Sequence, residues 1–433
     1  MPNRFFGPSF DTEPPSRLYA LSIGFAPGAR ELFDAVDADA LDAACARGVP
    51  EAIRGYGALV EDLPVYALEI DPAHLREDTR PAREARRWLA TREARGDWVE
   101  LKLRPDTDGA GLLYESIESE GRQVAIQAKP LAASMRGRLS RATRLTDHVA
   151  QRRTLRSVLP SSQLDGVVVL DVGQGSAAAL VDGSGHVRAY VDLGAGVLRH
   201  AGTYPPAMQD FCLMHGPTVI LSHWHYDHFH GANKTPQAQQ LVWIAPNQTL
   251  GPGPQSAMAQ TILSNGTLLV WNGRRPLRHG ALTLERCTGS GQNRSGIAVW
   301  VEGPGRADAI LLPGDAGYAD IPSLNRGRPR RVRSLVVAHH GGAAPGTPPP
   351  DPHHADSRAV ISCGHRNRYG HPLPRALTDL GAQGWSIGAP RSEIDDRMTQ
   401  RRTRGLGHTG LTWGAPFPPQ SCGCGCTIQA TKS

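Results

Sequence analysis

The sequence predicts a two-part chain, a small α+β domain followed by a larger layered α/β domain. Three observations carry this. The chain has 433 residues, and one domain takes roughly 100–200. From Val167 onward, short apolar runs alternate with Gly-rich turns, and polar clusters follow several runs at their C-terminal ends. Before residue 128, strand-like and helix-like segments mix without that cadence.

The composition is 40% hydrophobic and 20% charged, which excludes wholesale disorder. With 48 Gly and 35 Pro, many turns and long loops are expected. The formal net charge of +6 permits an anionic partner such as nucleic acid. An Arg-rich composition carries the same charge with no such partner. Met1 to Pro15 lacks the apolar core of a signal peptide. No stretch approaches the ~18 apolar residues of a membrane span. The expectation is a cytoplasmic protein with no membrane insertion and reduced thiols. Cys45, Cys212, Cys287 and Cys363 are scattered. Cys422, Cys424 and Cys426 form a C-x-C-x-C run that departs from C-x-x-C zinc spacing, so residues 416–433 read as a flexible tail.

In the first part, residues 1–15 read as a loose arm, and Leu18 to Phe25 has strand composition. Ala29 to Gly55 is Ala-rich and helix-like, broken near Gly48-Val49-Pro50. Val65 to Ile70 alternates like a strand. Pro81 to Ala94 reads as an exposed helix with charge pairs at helical spacing. Trp98 to Leu103 alternates again, and Leu112 to Ile117 and Gln123 to Gln127 flank a hairpin turn at Glu120-Gly121. Together these make a separate small α+β domain over 1–128, a candidate docking surface for a protein partner.

Residues 129–160 carry Arg136, Arg138, Arg141, Arg144, Arg152, Arg153 and Arg156, with Leu139, Leu145, Val149 and Leu155 between them. The pattern predicts a basic amphipathic helical linker. It fits a phosphate-backbone contact and, equally, a solvated face.

The chemistry concentrates in Ser222-His223-Trp224-His225-Tyr226-Asp227-His228-Phe229-His230-Gly231, directly after the apolar run Val219 to Leu221. Imidazole nitrogens and carboxylate oxygens are the ordinary ligands of Zn²⁺ and related ions. Four of them within six residues at a strand end can converge on one or two metals.

Further motifs follow in order: Leu170-Asp171-Val172-Gly173-Gln174-Gly175, Val191-Asp192-Leu193-Gly194, Leu312-Pro313-Gly314-Asp315, Val337-Ala338-His339-His340-Gly341-Gly342 and Asn367-Arg368-Tyr369-Gly370-His371-Pro372. H-x-H-x-D-H is the signature of the metallo-β-lactamase superfamily. The ordered set resembles the nuclease-like hydrolase domain of the ComEC-type DNA-uptake proteins, over roughly residues 165–390. The resemblance implies an αββα sandwich at 161–415, two sheets between outer helices, with a site for two divalent ions, Zn²⁺ or Mn²⁺, at one edge. It implies His223 and His225 on the first metal, Asp227, His228 and His340 on the second, and Asp315 bridging both. Asp192 resembles the family's aspartate that orients a ligand imidazole. His339 would neighbour the substrate, with the opposite assignment of the His339-His340 pair left open. Gln174, Asn367, Tyr369 and His371 would line the same edge, and Asp227, Asp315 and His371 would serve catalysis.

Three departures stand out. Many superfamily members supply a third histidine to the first metal before the bridging aspartate. Between Gly231 and Asp315 the one histidine here is His279. Ser176 stands where the family often has Asp, and no membrane channel accompanies the domain. The expected activity is hydrolysis of a phosphodiester, in DNA or RNA, through a metal-activated water. Arg326, Arg328, Arg330, Arg331 and Arg333, and Arg401, Arg402 and Arg404, are candidate guides for the polymer. Hydrolysis of a small phosphodiester, a phosphocholine ester or a lactone uses similar ligands. A non-catalytic docking protein with a structural metal is the alternative outside enzymology.

Overall fold

The computed structural model describes residues 3–7, 13–26, 30–46, 60, 62–71, 98–208, 210–325, 330–343, 348–365, 367–385 and 407–413. The expected helix at Pro81–Ala94, Arg326, Arg328, Arg401, Arg402 and Arg404, and the Cys422/Cys424/Cys426 tail lie outside the described residues. The chain divides into two compact units. The first holds 1–147 with 248–265 and 290–292, and the second holds the remainder.

The first unit corrects the α+β expectation: its strands close into an antiparallel six-stranded barrel. β1 (Arg17–Ala26), β2 (Arg30–Asp37), β3 (Val65–Ile70), β4 (Trp98–Pro105), β5 (Gly111–Tyr114) and β6 (Arg122–Pro130) pair in the order β1-β2-β3-β5-β6-β4. β4 returns to β1, as in Leu18 opposite Leu101, so no edge is left open. The Ala-rich stretch misled the reading. Among its described residues, Arg30–Asp37 form β2 and Ala38–Ala46 is helical. Pairing on both sides, with Phe33 and Ala35 in the barrel core, overrides local helix preference. The alternating residues Leu18, Ala20, Leu68, Val99, Leu101 and Val124 fill the rest of that core.

The N-terminal arm is also packed where it is described. Phe5 is buried, and Asn3 Nδ2 donates to the carbonyls of Val60 (2.6 Å) and Leu63 (2.8 Å). The helix Pro254–Asn265 belongs to this unit. Asp34 caps its N-terminus, accepting from the backbone N–H of Gly253 and, at 2.8 Å, of Gln255. Gln255 and Gln292 form a reciprocal buried amide pair at 2.7 and 2.9 Å. The basic segment is two short helices, Ala133–Ala142 and Arg152–Val158, with Leu139 and Leu155 as their buried anchors.

The second unit is a mixed α/β sandwich of two sheets. The first joins β7 (Gly166–Val169), β8 (Ala177–Val181), β9 (Val187–Leu193), β10 (Thr218–Ile220), β11 (Val242–Pro246), β12 (Thr267–Trp271) and β19 (Thr409–Thr412), in the order β12-β11-β10-β9-β8-β7-β19. The second runs in sequence order through β13 (Leu277–His279), β14 (Leu282–Arg286), β15 (Ile297–Glu302), β16 (Ala309–Leu312), β17 (Val332–Val336) and β18 (Arg358–Val360).

Strand alternation builds the layers. Ile297, Val299 and Val301 of β15 meet Val167, Leu180, Val191, Ile220 and Ile244 of the other sheet in one core. Ala298 and Trp300 point to the opposite face, where Leu380 of the helix Pro374–Ala382 and Trp385 cover them. β9, β10 and β11 are mutually parallel, as are β16, β17 and β18. The carboxyl ends of the strands in each parallel set therefore open onto one edge, where open α/β sheets place their ligand sites.

Candidate metal centre

Asp192 closes β9, Ser222 and His223 follow β10, Asp315 follows β16, His339 and His340 follow β17, and Ser362 follows β18. At this edge, two triads could each present three donor atoms to a cation. One is His223, His228 and Asp315. The other is Asp227, His228 and His340, and in each the donor atoms lie within 4.8 Å of one another. His228 Nε2 is 3.2 Å from Asp315 Oδ1 and 3.9 Å from Asp227 Oδ1. His340 Nε2 is 3.2 Å from Asp227 Oδ2 and 3.7 Å from Asp315 Oδ1. His223 Nε2 is 3.6 Å from Asp315 Oδ2. His225 packs its ring 4.6 Å from that of His223 and belongs to neither triad.

The hydrogen bonds on the far side of each ring decide its tautomer. Nδ1 of His340 faces the Ser362 carbonyl at 2.7 Å, and Nδ1 of His339 faces the Ala343 carbonyl at 3.0 Å. A carbonyl only accepts, so each Nδ1 carries the proton and each Nε2 presents a lone pair. Nδ1 of His228 lies 2.8 Å from Asp192 Oδ2, with the same consequence. The Ser222 hydroxyl donates to Asp192 at 2.9 Å, which leaves its oxygen to accept from His223 Nδ1 at 3.1 Å. Four imidazoles thus turn lone pairs toward Asp227 and Asp315. The Nε2 atoms of His223, His228 and His340 are buried without a hydrogen bond. Lone pairs facing carboxylate oxygens repel unless positive charge stands between them. The donor set therefore fits a divalent cation bound by nitrogen and oxygen.

Electrostatics agree. Burial alone would raise the Asp315 carboxyl, but His228, His339, His223 and His340 hold it well below the usual carboxylate range. Asp227 is lowered the same way by His228 and His340. Burial opposes a charged His228 or His340, yet Asp315, with Asp192 and Asp227 beside His228 and Asp227 beside His340, raises the proton affinity of both rings. Without a cation, a proton on Nε2 therefore supplies the positive charge that a bound metal would replace. His223 is pushed down by burial and by His228.

Backbone strain marks the same place. Asp192, His339 and His340 are three of the five non-glycine residues with positive φ among those described, at 60°, 53° and 54°. Asp192 repays its conformation by accepting from the Ser222 backbone N–H at 2.6 Å as well. Gly314, at φ 60°, lets the chain pass Ser222, where a Cβ would come within 2.7 Å of the hydroxyl.

Next to the centre, His371 keeps a buried Nε2 without a hydrogen bond, and its ring is 5.8 Å from that of His339. Burial, then His339 and His340, push its pKa down to about 2, so it is neutral. Gln174 places Nε2 3.4 Å from His371 Nδ1 and accepts from Gly364 N–H at 3.2 Å. Tyr369 packs between His200 (3.8 Å) and His371 (5.5 Å). Asn367 spends its amide on its own loop, donating to the carbonyls of Gly364 and His371 and accepting from His371 N–H.

His279, the alternative third histidine, sits in β13 at the edge of the second sheet. His339 instead reaches Asp315, with Nε2 3.5 Å from Oδ2. Sequence reasoning gave no role to Ser222 or His200. Ser222 was hidden as the first residue of the histidine motif, and buried His200 carries no local pattern at all.

No family model matches the chain, and no curated protein does. Solved structures similar to it include Zn²⁺-bound PqqB from Methylobacterium extorquens, at 11% identity over 51% of this chain and 97% of that one, TM-score 0.31. Another is MEM-A1, a subclass B3 metallo-β-lactamase from a soil metagenome library, at 15% identity over 45% and 82%, TM-score 0.26. A third is a putative metallo-β-lactamase from Thermotoga maritima, at 12% identity over 35% and 79%, TM-score 0.22. At these scores the likenesses carry no functional weight. That weight rests on the sheet order and the side-chain cluster of this chain.

Proposed function

We propose that the chain is a metal-dependent hydrolase of the metallo-β-lactamase type, acting on a phosphodiester. The observation that carries this is the set of imidazoles with Nε2 lone pairs turned toward Asp227 and Asp315. His223, His225, Asp227, His228, Asp315 and His340 would hold two divalent ions, with His339 in place of the missing third histidine. Bound cations would lower the pKa of water and offset charge on phosphoryl oxygens. Asp315 and Asp227, held ionised, are the carboxylates suited to anchor cations and accept a proton. Asp192 and Ser222 hold the His228 and His223 rings in register. Neutral His371, whose Nδ1 accepts from the Gln174 amide so that Nε2 carries the proton, would donate a hydrogen bond to the leaving oxygen.

Nucleic acid is the polymer that the motif resemblance favours. The exposed residues Arg153 and Arg156, in the same unit as the centre, support it as phosphate contacts. One observation favours a small phosphodiester instead. Arg330 is paired with Glu302 at 3.1 Å and lies over Trp300, and Arg333 is paired with Asp356, so part of the basic run is neutralised internally.

The test is to strip the protein with chelator and restore Mn²⁺, Zn²⁺ or Mg²⁺ separately. Each sample meets single- and double-stranded DNA, RNA and bis(p-nitrophenyl) phosphate, beside Asp227→Ala. Cleavage of polymer that needs metal and Asp227 supports the nuclease. Cleavage of the small ester alone selects the second reading. Metal uptake with no hydrolysis of any substrate overturns phosphodiester chemistry.

A further inference from the structure

Outside this centre, Asp308, His353 and His354 form a second cluster of metal-ligating groups. Asp308 stands immediately before β16 and Asp315 follows it; a four-residue strand spans roughly 13 Å. His353 likewise sits beside Val332, where β17 begins, whereas His340 lies beyond its end. The cluster therefore occupies the opposite ends of the strands that carry the main centre.

Its geometry is that of a built site. His354 Nε2 hydrogen-bonds Asp308 Oδ2 at 2.8 Å, a proton that a bound cation would replace, and His353 Nε2 is 3.7 Å from Oδ1. Oδ1 is buried and has no hydrogen bond. The rings, on adjacent residues, stand 4.6 Å apart at 70°, and all three donor atoms fall within 4.8 Å of one another. An ion pair needs one imidazole, and the second ring adds a third donor atom beside the same carboxylate.

The backbone under each ligand is already tied. His353 N–H donates to the Val332 carbonyl (2.9 Å), His354 N–H to Ser357 Oγ (3.0 Å), and Gly303 N–H to the Asp308 carbonyl (2.9 Å). Side-chain exposures of 33%, 37% and 24% for His353, His354 and Asp308 leave room for water to complete coordination.

We infer that Asp308, His353 and His354 form a second, peripheral site for a late divalent transition ion, with zinc the natural occupant. Two nitrogens and one oxygen suit Zn²⁺, Ni²⁺ or Cu²⁺, and do not suit Ca²⁺ or Mg²⁺, which take oxygen. A bound ion would clip the turn before β16 to the segment before β18, and so stabilise the folded chain by mass action.

The experiment titrates chelator-stripped, full-length protein with Zn²⁺ and counts bound metal after dialysis. Wild type should hold about one equivalent more than His353→Ala/His354→Ala, which changes exposed positions and should keep its fold by circular dichroism. Asp308→Asn should weaken that equivalent about tenfold or more. The zinc-induced rise in melting temperature should shrink in the double variant. Equal stoichiometry in all three proteins, or a difference seen only at millimolar zinc, overturns the site. Because neither outcome depends on hydrolysis, the result stands apart from the activity proposed for the main centre.

Discussion

Oδ2 of Asp192 lies 2.8 Å from Nδ1 of His228, and this contact turns the opposite nitrogen of that ring between Asp227 and Asp315. Asp192 adopts φ 60° to make it. Replacing Asp192 by Asn puts an N–H₂ where an acceptor is needed, and the ring loses its fixed tautomer. Asp192→Asn should keep the fold and lose about 10–100-fold in zinc affinity, measured by competition with a chromophoric chelator.

On the proposed function, substitutions at His339 and His371 would separate the holding of metal from the handling of substrate. His339→Ala should release metal, because its Nε2 faces Asp315 at 3.5 Å. His371→Asn should retain metal and lower kcat by about 10²–10⁴. With its pKa pushed down to about 2, His371 is neutral at every working pH. The fractional loss in His371→Asn should therefore stay constant from pH 5 to pH 9, while a pH-dependent loss would assign the ring a titrating role.

Asp171 gives a stability test. Burial raises its pKa from 3.8 to about 6, although the backbone N–H groups of Gly407 and Gly173 act in the other direction. A carboxyl raised in the folded state favours folding fully below its unfolded pKa, and loses that contribution as pH rises through the folded value. Asp171→Asn removes the titration. Relative to wild type it should gain stability between pH 4 and pH 7, by up to about 3 kcal/mol. Urea midpoints at the two pH values check this, and an unchanged difference would place the carboxyl's pKa near its ordinary value.

In the barrel unit, Asp34 caps the helix Pro254–Asn265. Asp34→Ala should cost about 1–2 kcal/mol, read from the denaturant midpoint. Gly253→Ala should be more damaging, because its Cβ would fall 2.1 Å from the Ala35 carbonyl oxygen.

The residues that were legible in the sequence are those whose chemistry is local. His223 to His228 declare themselves by spacing. Asp192, Asp315 and His340 were picked out by the family resemblance, each at or just beyond the end of an apolar strand. Spacing alone does not say that both His339 and His340 turn Nε2 toward Asp315, because that depends on paired left-handed backbone angles and on the Ala343 and Ser362 carbonyls. The barrel was missed for a similar reason. Closure is a pairing between β1 and β4, which sets Leu18 opposite Leu101, and no window along the chain contains it. Ala29 to Gly55 has helical composition, yet Phe33 and Ala35 are claimed by the barrel core.

The measurement that tests the central claim most directly is zinc content with X-ray absorption. It is made on the chain carrying His353→Ala/His354→Ala, so that only the main centre is read, beside the same chain with Asp315→Ala. The account predicts about two zinc ions per chain with nitrogen and oxygen at ~2.0–2.2 Å and no sulfur, largely lost with Asp315. Metal content that is unaffected by Asp315→Ala in a folded protein, or a shell dominated by sulfur, would contradict it.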